Sequence, residues 1–330
     1  MSEHHIKVVR VGPILPHPKG DRLEVTTVLG YPVCIAKGGF KEGDLAVYIP
    51  IDAVVPGDDP RWAFLQGHNR IRAKKLQGVF SMGLLTEADP SWVEGQDVAT
   101  ELRITKYEPV IGNPEQDEAD PGIAPVYDLE GWRRYTNFLP VLFPDPMEEV
   151  VASEKFHGEN ARFAWHEGRL WCGSHRNWKL DTSSSQWWTA ARLYRLAEKL
   201  STLPTDRTLV FYGEIVGHVP DMNYGHSNAA RGLVFFDILD AKTRTFLPYA
   251  EVVALLEKLC LPLATELYRG PFCGLDPAAL AEGKTLYPRA SGKHIREGFV
   301  VKPVTERQDP LIGRVILKLH GEGYLLRKHG

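Results

Sequence analysis

Up to residue 108 the apolar positions come in short runs separated by turn residues. The runs IKVVRV, LEVTTVLG, YPVCIA, LAVYIPI and FSMGLL are rich in β-branched and aromatic residues, with GG at 38–39 and EGD at 42–44 between them. Strands this short and this closely spaced, with little helical periodicity, predict a small β-barrel. From 108 to 125 the pattern lapses into EPVIGNPEQDEADPGIAP, whose Pro, Gly and acid predict a linker. Beyond it the periodicity is mixed. Leu193, Leu196, Ala197 and Leu200 form a helical stripe behind TSSSQWW, Val252, Leu255, Leu256 and Leu259 form another, and Asp276 before Pro277 marks a third helix start. Between these lie the β-prone runs GRLWCGS, TLVFYGEIVG, GLVFFDILD, GFVVKPV and RVILKLH. The predicted fold class is α+β: a β-barrel domain at 1–108, a linker at 109–131, and a domain of antiparallel sheets flanked by helices at 132–330.

Composition narrows the function classes. A chain of 330 residues, 43% hydrophobic and 25% charged, is an ordinary soluble protein with length for two domains. No apolar run approaches the roughly 20 residues that span a bilayer, and MSEHHIKVVRVG lacks a signal-peptide core, so a cytoplasmic protein without membrane partners is expected. The four cysteines are scattered without C-x-x-C spacing, which points to buried thiols rather than a zinc site or disulfides. A formal charge of −3 gives no global attraction to nucleic acid, so a phosphate-binding surface must be local. RIRAKK at 70–75, WRRY at 132–135 and SGKHIR at 291–296 are the local candidates, and each reads first as a solvated polar face.

The second domain carries the chemistry. Each β-run after residue 150 ends in a polar or charged residue, where side chains from neighbouring sheets converge. In order these are Lys155 in EKFHGEN, Arg176 in GSHRNWK, Glu214 in FYGEIVG, Phe235 and Phe236 in VFFDI, Glu297 and Lys302 in EGFVVK, and Lys318 in VILKLH. The order and spacing resemble the covalent nucleotidyltransferase superfamily of ATP-dependent ligases and RNA capping enzymes. The histidine in K-x-H-G-x-N is similar to the branch containing phage and mitochondrial-editing RNA ligases. HPKGDRLEVTTVLGYPVCIAKGGFKEGDLAVYIP, in turn, resembles the opening of the tRNA-binding type of OB fold, although any small β-barrel would share its strands and turns. An OB-like barrel followed by an ATP-grasp-like nucleotidyltransferase domain, with nothing appended, resembles the Deinococcus/Naegleria-type RNA ligases.

That resemblance implies a reaction and a set of roles. Lys155 would attack the α-phosphorus of ATP and release pyrophosphate. AMP would then pass to a 5′-phosphate, and a 3′-hydroxyl would displace it. An amine with a pKa near ~10.4 is protonated at neutral pH, so Lys302, Lys318 and a bound magnesium or manganese ion are expected to lower the pKa of Lys155 and neutralise the phosphate. Glu214 and Glu297 would hold the metal, since hard cations take oxygen ligands; by resemblance Glu214 is the ribose or metal carboxylate and so also counts among the nucleotide-binding residues. By resemblance, Glu154 lies near the adenine amino group, while Gly158, Asn160 and Arg176 contact the nucleotide or RNA end. Phe235 or Phe236 stacks on adenine; strand alternation exposes only one of them. Glu297 and Lys302, five residues apart, would face opposite sides of a regular strand, so one of them should sit in a turn or bulge.

Two positions depart from the family pattern. Ile316 stands where the first lysine of a K-x-K pair is common, which leaves the phosphate clamp to Lys318. His157 replaces the aspartate of other members and is expected to contact phosphate or a neighbouring carboxylate. The expected substrate is a nicked duplex of RNA, or an RNA–DNA hybrid with RNA on the 3′-hydroxyl side, with no obligate protein partner. Arg70, Arg72, Lys74 and Lys75 of the barrel would grip the backbone, or simply keep their loop soluble. The alternatives are a GTP-using capping-type nucleotidyltransferase and a non-enzymatic RNA-binding protein built on the OB module.

Overall fold

A computed structural model of the protein describes residues 5–107, 117–204, 206–227, 231–309 and 312–327. Residues 108–116 of the expected linker lie outside the described residues. The chain divides into two compact units, one formed by 117–131 with 139–324, the other by 5–107 with 132–138 and 325–327.

The smaller unit is made almost wholly of strands. Lys7–Arg10, Leu45–Ile49 and Leu84–Glu87 form one antiparallel sheet, Leu15–Pro16, Leu23–Val28 and Tyr31–Ala36 a second, and Lys74–Leu76 with Val79–Ser81 a hairpin. The β-branched residues fill two cores. Ile6, Val8, Val47 and Ile49 pack with Trp62 and Leu102 in one, and Val9, Val28, Val33 and Ile35 pack with Tyr48 in the other. Consecutive residues of Lys7–Arg10 therefore serve different cores, as the two faces of a strand must.

The larger unit holds a seven-stranded and a five-stranded sheet. The seven-stranded sheet runs in the order Asp117–Glu118, Trp178–Lys179, Arg169–Gly173, Glu159–His166, Leu209–Val216, Gly232–Asp240 and Thr245–Phe246, all antiparallel. One face carries Phe163, Phe211, Ile215 and Phe235 and is covered by the helices Gln186–Leu193, Leu196–Leu200 and Tyr249–Lys258. Asp276 caps the helix Pro277–Ala281 by accepting from the N–H groups of Ala278 and Ala279. The stripe predicted around Leu193 is divided. Arg195 takes φ 55° and starts a new helix, which turns Leu193 out to 57% exposure while Leu196 and Leu200 stay buried.

The other face of that sheet carries Tyr212 and Trp178 and packs against Ile123, Tyr127, Val300 and Ile316. Val300 belongs to the five-stranded sheet, ordered Glu130–Gly131, Leu317–His320, Gly298–Pro303, Glu149–Lys155 and Glu266–Pro271. Residues 117–131, expected as linker, thus supply a strand to each sheet and the Tyr127 ring between them. Acid and proline in that stretch serve packing as well as connection: Asp117 pairs with the buried Lys179, and the Pro125 carbonyl accepts from the Tyr212 hydroxyl at 2.9 Å.

Candidate active site

The K-F-H-G turn is where the chain crosses from one sheet to the other. Glu149–Lys155 belongs to the five-stranded sheet and Glu159–His166 to the seven-stranded one. A Cβ on Gly158 would lie 2.2 Å from the Ile215 carbonyl oxygen, so only glycine lets the crossover pass this close to the facing strand. Lys155 stands at the lip of that turn.

Residues directly opposite on paired strands share a face. Lys155 is opposite Gly298, which is opposite His320; Val300 is opposite Lys318, and Val151 opposite Lys302. Lys155, Lys302, Lys318 and His320 therefore emerge on one face of the five-stranded sheet. Gly298, at φ +153°, adds no side chain between Lys155 and His320. On the facing sheet Asn160 is opposite Glu214, and Arg162 opposite Tyr212. A register shift pairs Gly213 with Phe235 but Tyr212 with Asp237, leaving Phe236 as the extra residue of a bulge. The bulge separates the two phenylalanines. Phe235 is fully buried under the helices, whereas Phe236 lies beside Tyr127, with ring centroids 5.0 Å apart, on the side between the sheets.

Glu297 immediately precedes its strand, which resolves the five-residue spacing to Lys302. Its Oε1 accepts from Lys155 Nζ at 2.7 Å and lies 3.4 Å from His320 Nε2, while its buried Oε2 has no hydrogen-bond partner. The protein's own groups around the lysine pull in two directions. Burial alone would lower its pKa, but Glu297 and Glu214 outweigh burial and hold the ammonium above its ordinary range. Burial pushes Glu214 up to about 8, with Glu297 and Glu159 adding repulsion and Lys155 opposing. Burial opposes the charge on Glu297, yet Lys155 and His320 hold its carboxyl well below the usual range. His320 is lowered, first by burial and then by Lys155 and Lys318.

Lys302 does not act on Lys155 as expected. Its Nζ bonds Asp237 and lies 3.0 Å from Glu306 Oε1, and Arg314 lies 3.0 Å from Asp237 and 2.6 Å from Glu306. Tyr127 donates to the same Asp237. The cation is spent inside a buried cluster four residues along the strand from the register of Lys155. Sequence reasoning missed Asp237, Glu306 and Arg314, although Asp237 follows the two phenylalanines directly. It also missed Tyr324, whose hydroxyl lies 2.9 Å from His157 Nδ1. His157 thus meets a phenol and also acts electrostatically on the Glu297 carboxylate, and its backbone N–H donates to the Tyr224 hydroxyl at 2.9 Å.

Glu154 points the other way from Lys155. Its Oε2 accepts from the Leu286 N–H at 2.9 Å, and its Oε1, also buried, has no partner. Asn160 Oδ1 is likewise buried and unpaired. Arg176 is exposed in the turn before Trp178–Lys179, where its carbonyl accepts from Arg162. In the smaller unit Arg70 is bound to Asp52 at 2.8 Å and lies 3.7 Å over the Tyr107 ring, whereas Arg72, Lys74 and Lys75 are exposed.

No group of three or more His, Cys, Asp or Glu side chains is assembled to hold a metal among the described residues. Two hard carboxylates act on Lys155, Glu297 with an unpaired buried oxygen and Glu214 with a carboxyl that burial pushes up. This donor set fits a divalent ion whose remaining ligands come from phosphate and water.

Comparisons with known proteins identify the family and the fold. A family model described as RNA ligase matches residues 148–320, just over half of the chain, and an OB-fold domain model matches residues 5–88. Solved structures of the Naegleria gruberi RNA ligase are similar at 25% identity, covering 98% of this chain and 98% of theirs. They include a mutant with ATP and manganese at a TM-score of 0.81, the protein with pyrophosphate at 0.80, and a second mutant with AMP and manganese at 0.81. No curated protein matches the sequence.

Proposed function

We propose, from the premise that this chain belongs to the RNA ligase family, that it uses ATP and a divalent metal to join a 3′-hydroxyl to a 5′-phosphate through a covalent lysyl-AMP on Lys155. The observation that carries this is the position of Lys155, at the crossover between two sheets, 2.7 Å from Glu297 and under the influence of Glu214. The Nζ–phosphorus bond forms as pyrophosphate leaves, then breaks as AMP passes to the 5′-phosphate; attack by the 3′-hydroxyl releases AMP.

Glu214 and Glu297 would hold magnesium or manganese, which supplies charge neutralisation at the phosphates. The chain's own residues bind and orient. Glu297 holds the amine in place through its 2.7 Å contact. Lys318, on the same face, neutralises the phosphate without the help of a second lysine, since Ile316 is core. Phe236, on the side between the sheets, stacks on adenine. The unpaired Oε1 of Glu154 accepts from the adenine amino group, an arrangement that the O6 of guanine would repel, and this favours ATP over GTP. Asn160, with its buried unpaired Oδ1, contacts the nucleotide, and the exposed Arg176 contacts the RNA end.

The substrate is a nicked duplex with RNA on the 3′-hydroxyl side, its backbone gripped by Arg72, Lys74 and Lys75 of the OB unit. The test is mass spectrometry of purified protein incubated with ATP and magnesium. One added AMP, mapped to Lys155 and absent with GTP, is expected; an unmodified protein, or an adduct that survives Lys155→Ala, overturns the reading.

A further inference from the structure

His157 is held from two sides. Its backbone N–H donates to the hydroxyl of Tyr224, a fully buried residue wedged against Phe156 and His294 at centroid distances of 5.0 and 4.5 Å. Its ring is held by Tyr324, on the short helix Glu322–Leu325 that follows the Lys318 strand. The Tyr324 hydroxyl lies 2.9 Å from His157 Nδ1, the two rings are 5.5 Å apart, and Tyr324 in turn stacks on His320 at 5.7 Å and 15°. Tyr324 packs with Phe156, Tyr224 and Val234, so its hydroxyl is fixed by packing as well as by the bond. The end of the motif containing Lys318 is thereby joined to the turn containing the nucleophile.

A neutral imidazole has one donor and one acceptor nitrogen, and a hydroxyl can complement either, donating to the bare nitrogen or accepting from the N–H. A histidine that serves a phosphate must present N–H to it. With Nδ1 facing Tyr324, the donor has to be Nε2, which requires Nδ1 to accept. A phenol, which ionises only near pH ~10, supplies that donor at neutral pH. Phenylalanine would fill the same space and leave the tautomer unspecified.

We propose that Tyr324 is a positioning residue for ligation: its hydroxyl donates to His157 Nδ1 and fixes the imidazole as the Nε2–H tautomer that hydrogen-bonds the phosphate of the adenylylated strand. The inference rests on the ligase reading for its phosphate, but not for its tautomer. Two measurements separate these. The ¹⁵N shifts of the His157 ring in the substrate-free protein, assigned by their loss in His157→Asn, are expected to report Nε2–H in the wild type and a mixture in Tyr324→Phe. Sealing of a pre-adenylylated nick by Tyr324→Phe is expected to slow about tenfold at saturating substrate, with KM within twofold, as removal of one positioning bond would cause. Tyr324→Phe should have no further effect in a His157→Ala background, which a merely structural role would not produce. An Nδ1–H tautomer in the wild type, an unchanged tautomer in Tyr324→Phe, or equal losses in both backgrounds overturns the proposal. If no nucleotide transfer is found at all, the ring shifts still decide the tautomer, and only the ligase reading fails.

Discussion

Lys155 Nζ lies 2.7 Å from Glu297 Oε1, so the amine proposed as nucleophile rests as an ammonium ion held by a buried carboxylate. Burial disfavours that charge, and Glu297 with Glu214 more than offsets the burial. Removing the Glu297 charge should therefore release the burial effect. In the metal-free protein, Lys155 of Glu297→Gln is expected to react with amine reagents at lower pH than the wild-type residue, read by mass spectrometry across a pH series. Coincident profiles would mean that the pair does not hold the proton.

Glu214 gives a pH dependence of opposite kind. Its carboxyl, pushed up to about 8 by burial and then by Glu297 and Glu159, titrates near 4.3 in an unfolded chain. The folded state binds the proton more tightly. Its contribution to stability is therefore complete below about pH 4.3 and disappears as pH rises through about 8. Without metal, the Tm advantage of Glu214→Gln over the wild type is expected to grow between pH 5 and pH 8. A divalent cation replaces that proton, so manganese binding at pH 7 should release protons, measured by calorimetry in buffers of different ionisation enthalpy. Release that is equal in Glu214→Gln would remove Glu214 from the ligand set.

Lys302 separates a structural from a chemical use of charge. Asp237 is buried with Lys302, Arg314 and Tyr127 around it, and loss of one cation leaves part of that charge uncompensated. Lys302→Met is expected to cost about 3–5 kcal/mol in denaturant unfolding, the usual cost of breaking a buried pair. An unchanged midpoint would instead mean that the Lys302 charge is available to substrate.

The order of the runs was legible because strands follow from β-propensity and turn residues, and Lys155 and Glu297 do sit at strand ends, whereas Glu214, Phe235 and Phe236 lie within theirs. Lys155, Glu214, Glu297 and Lys318 are singled out by the order of the runs, and Glu154 by the family resemblance alone. Their mutual electrostatics needed tertiary knowledge. Register decides that Glu297, not Lys302, faces Lys155 at bonding distance, and a single inserted residue at Phe236 decides which phenylalanine looks between the sheets. Tyr324 and Asp237 were missed for the same reason: their partners lie 167 and 65 residues away in sequence. The stretch before 131 was misjudged because its acid and proline mask Ile123, Ala124 and Tyr127, which are core.

The basic hairpin of the OB unit offers a prediction independent of the nucleotide pocket. Arg72, Lys74 and Lys75 are exposed, whereas Arg70 is occupied by Asp52 and Tyr107. Removing a cation that neutralises one phosphate should lower the slope of log K against log salt by roughly 0.9 for duplex DNA. Replacing the three exposed cations by Gln is expected to weaken binding of a nicked duplex and to flatten its salt dependence, with the rate of protein adenylylation unchanged. Arg70→Gln should matter less for binding. Equal salt slopes in mutant and wild type would show that the hairpin does not touch the backbone.

The two phenylalanines provide the sharpest contrast, because they are adjacent and differ only in the face they occupy. Phe235 is fully buried, with Phe163 and Phe211 each 6.0 Å away edge-on, and serves the helix-covered core. Phe236 is partly exposed beside Tyr127. Leucine keeps most of the volume and apolar character of either ring but removes its π face, so the expected effects diverge. Phe236→Leu should raise the KM for ATP in adenylylation about threefold to tenfold, the range that an aromatic stacking partner supplies, and leave the unfolding midpoint nearly unchanged. Phe235→Leu should lower stability by about 1 kcal/mol or more, as a shape change in a packed core does, with the KM for ATP unaltered. If Phe235→Leu moved the KM and Phe236→Leu did not, adenine would have to reach the helix side of the sheet, and the assignment of faces to the pocket would be reversed.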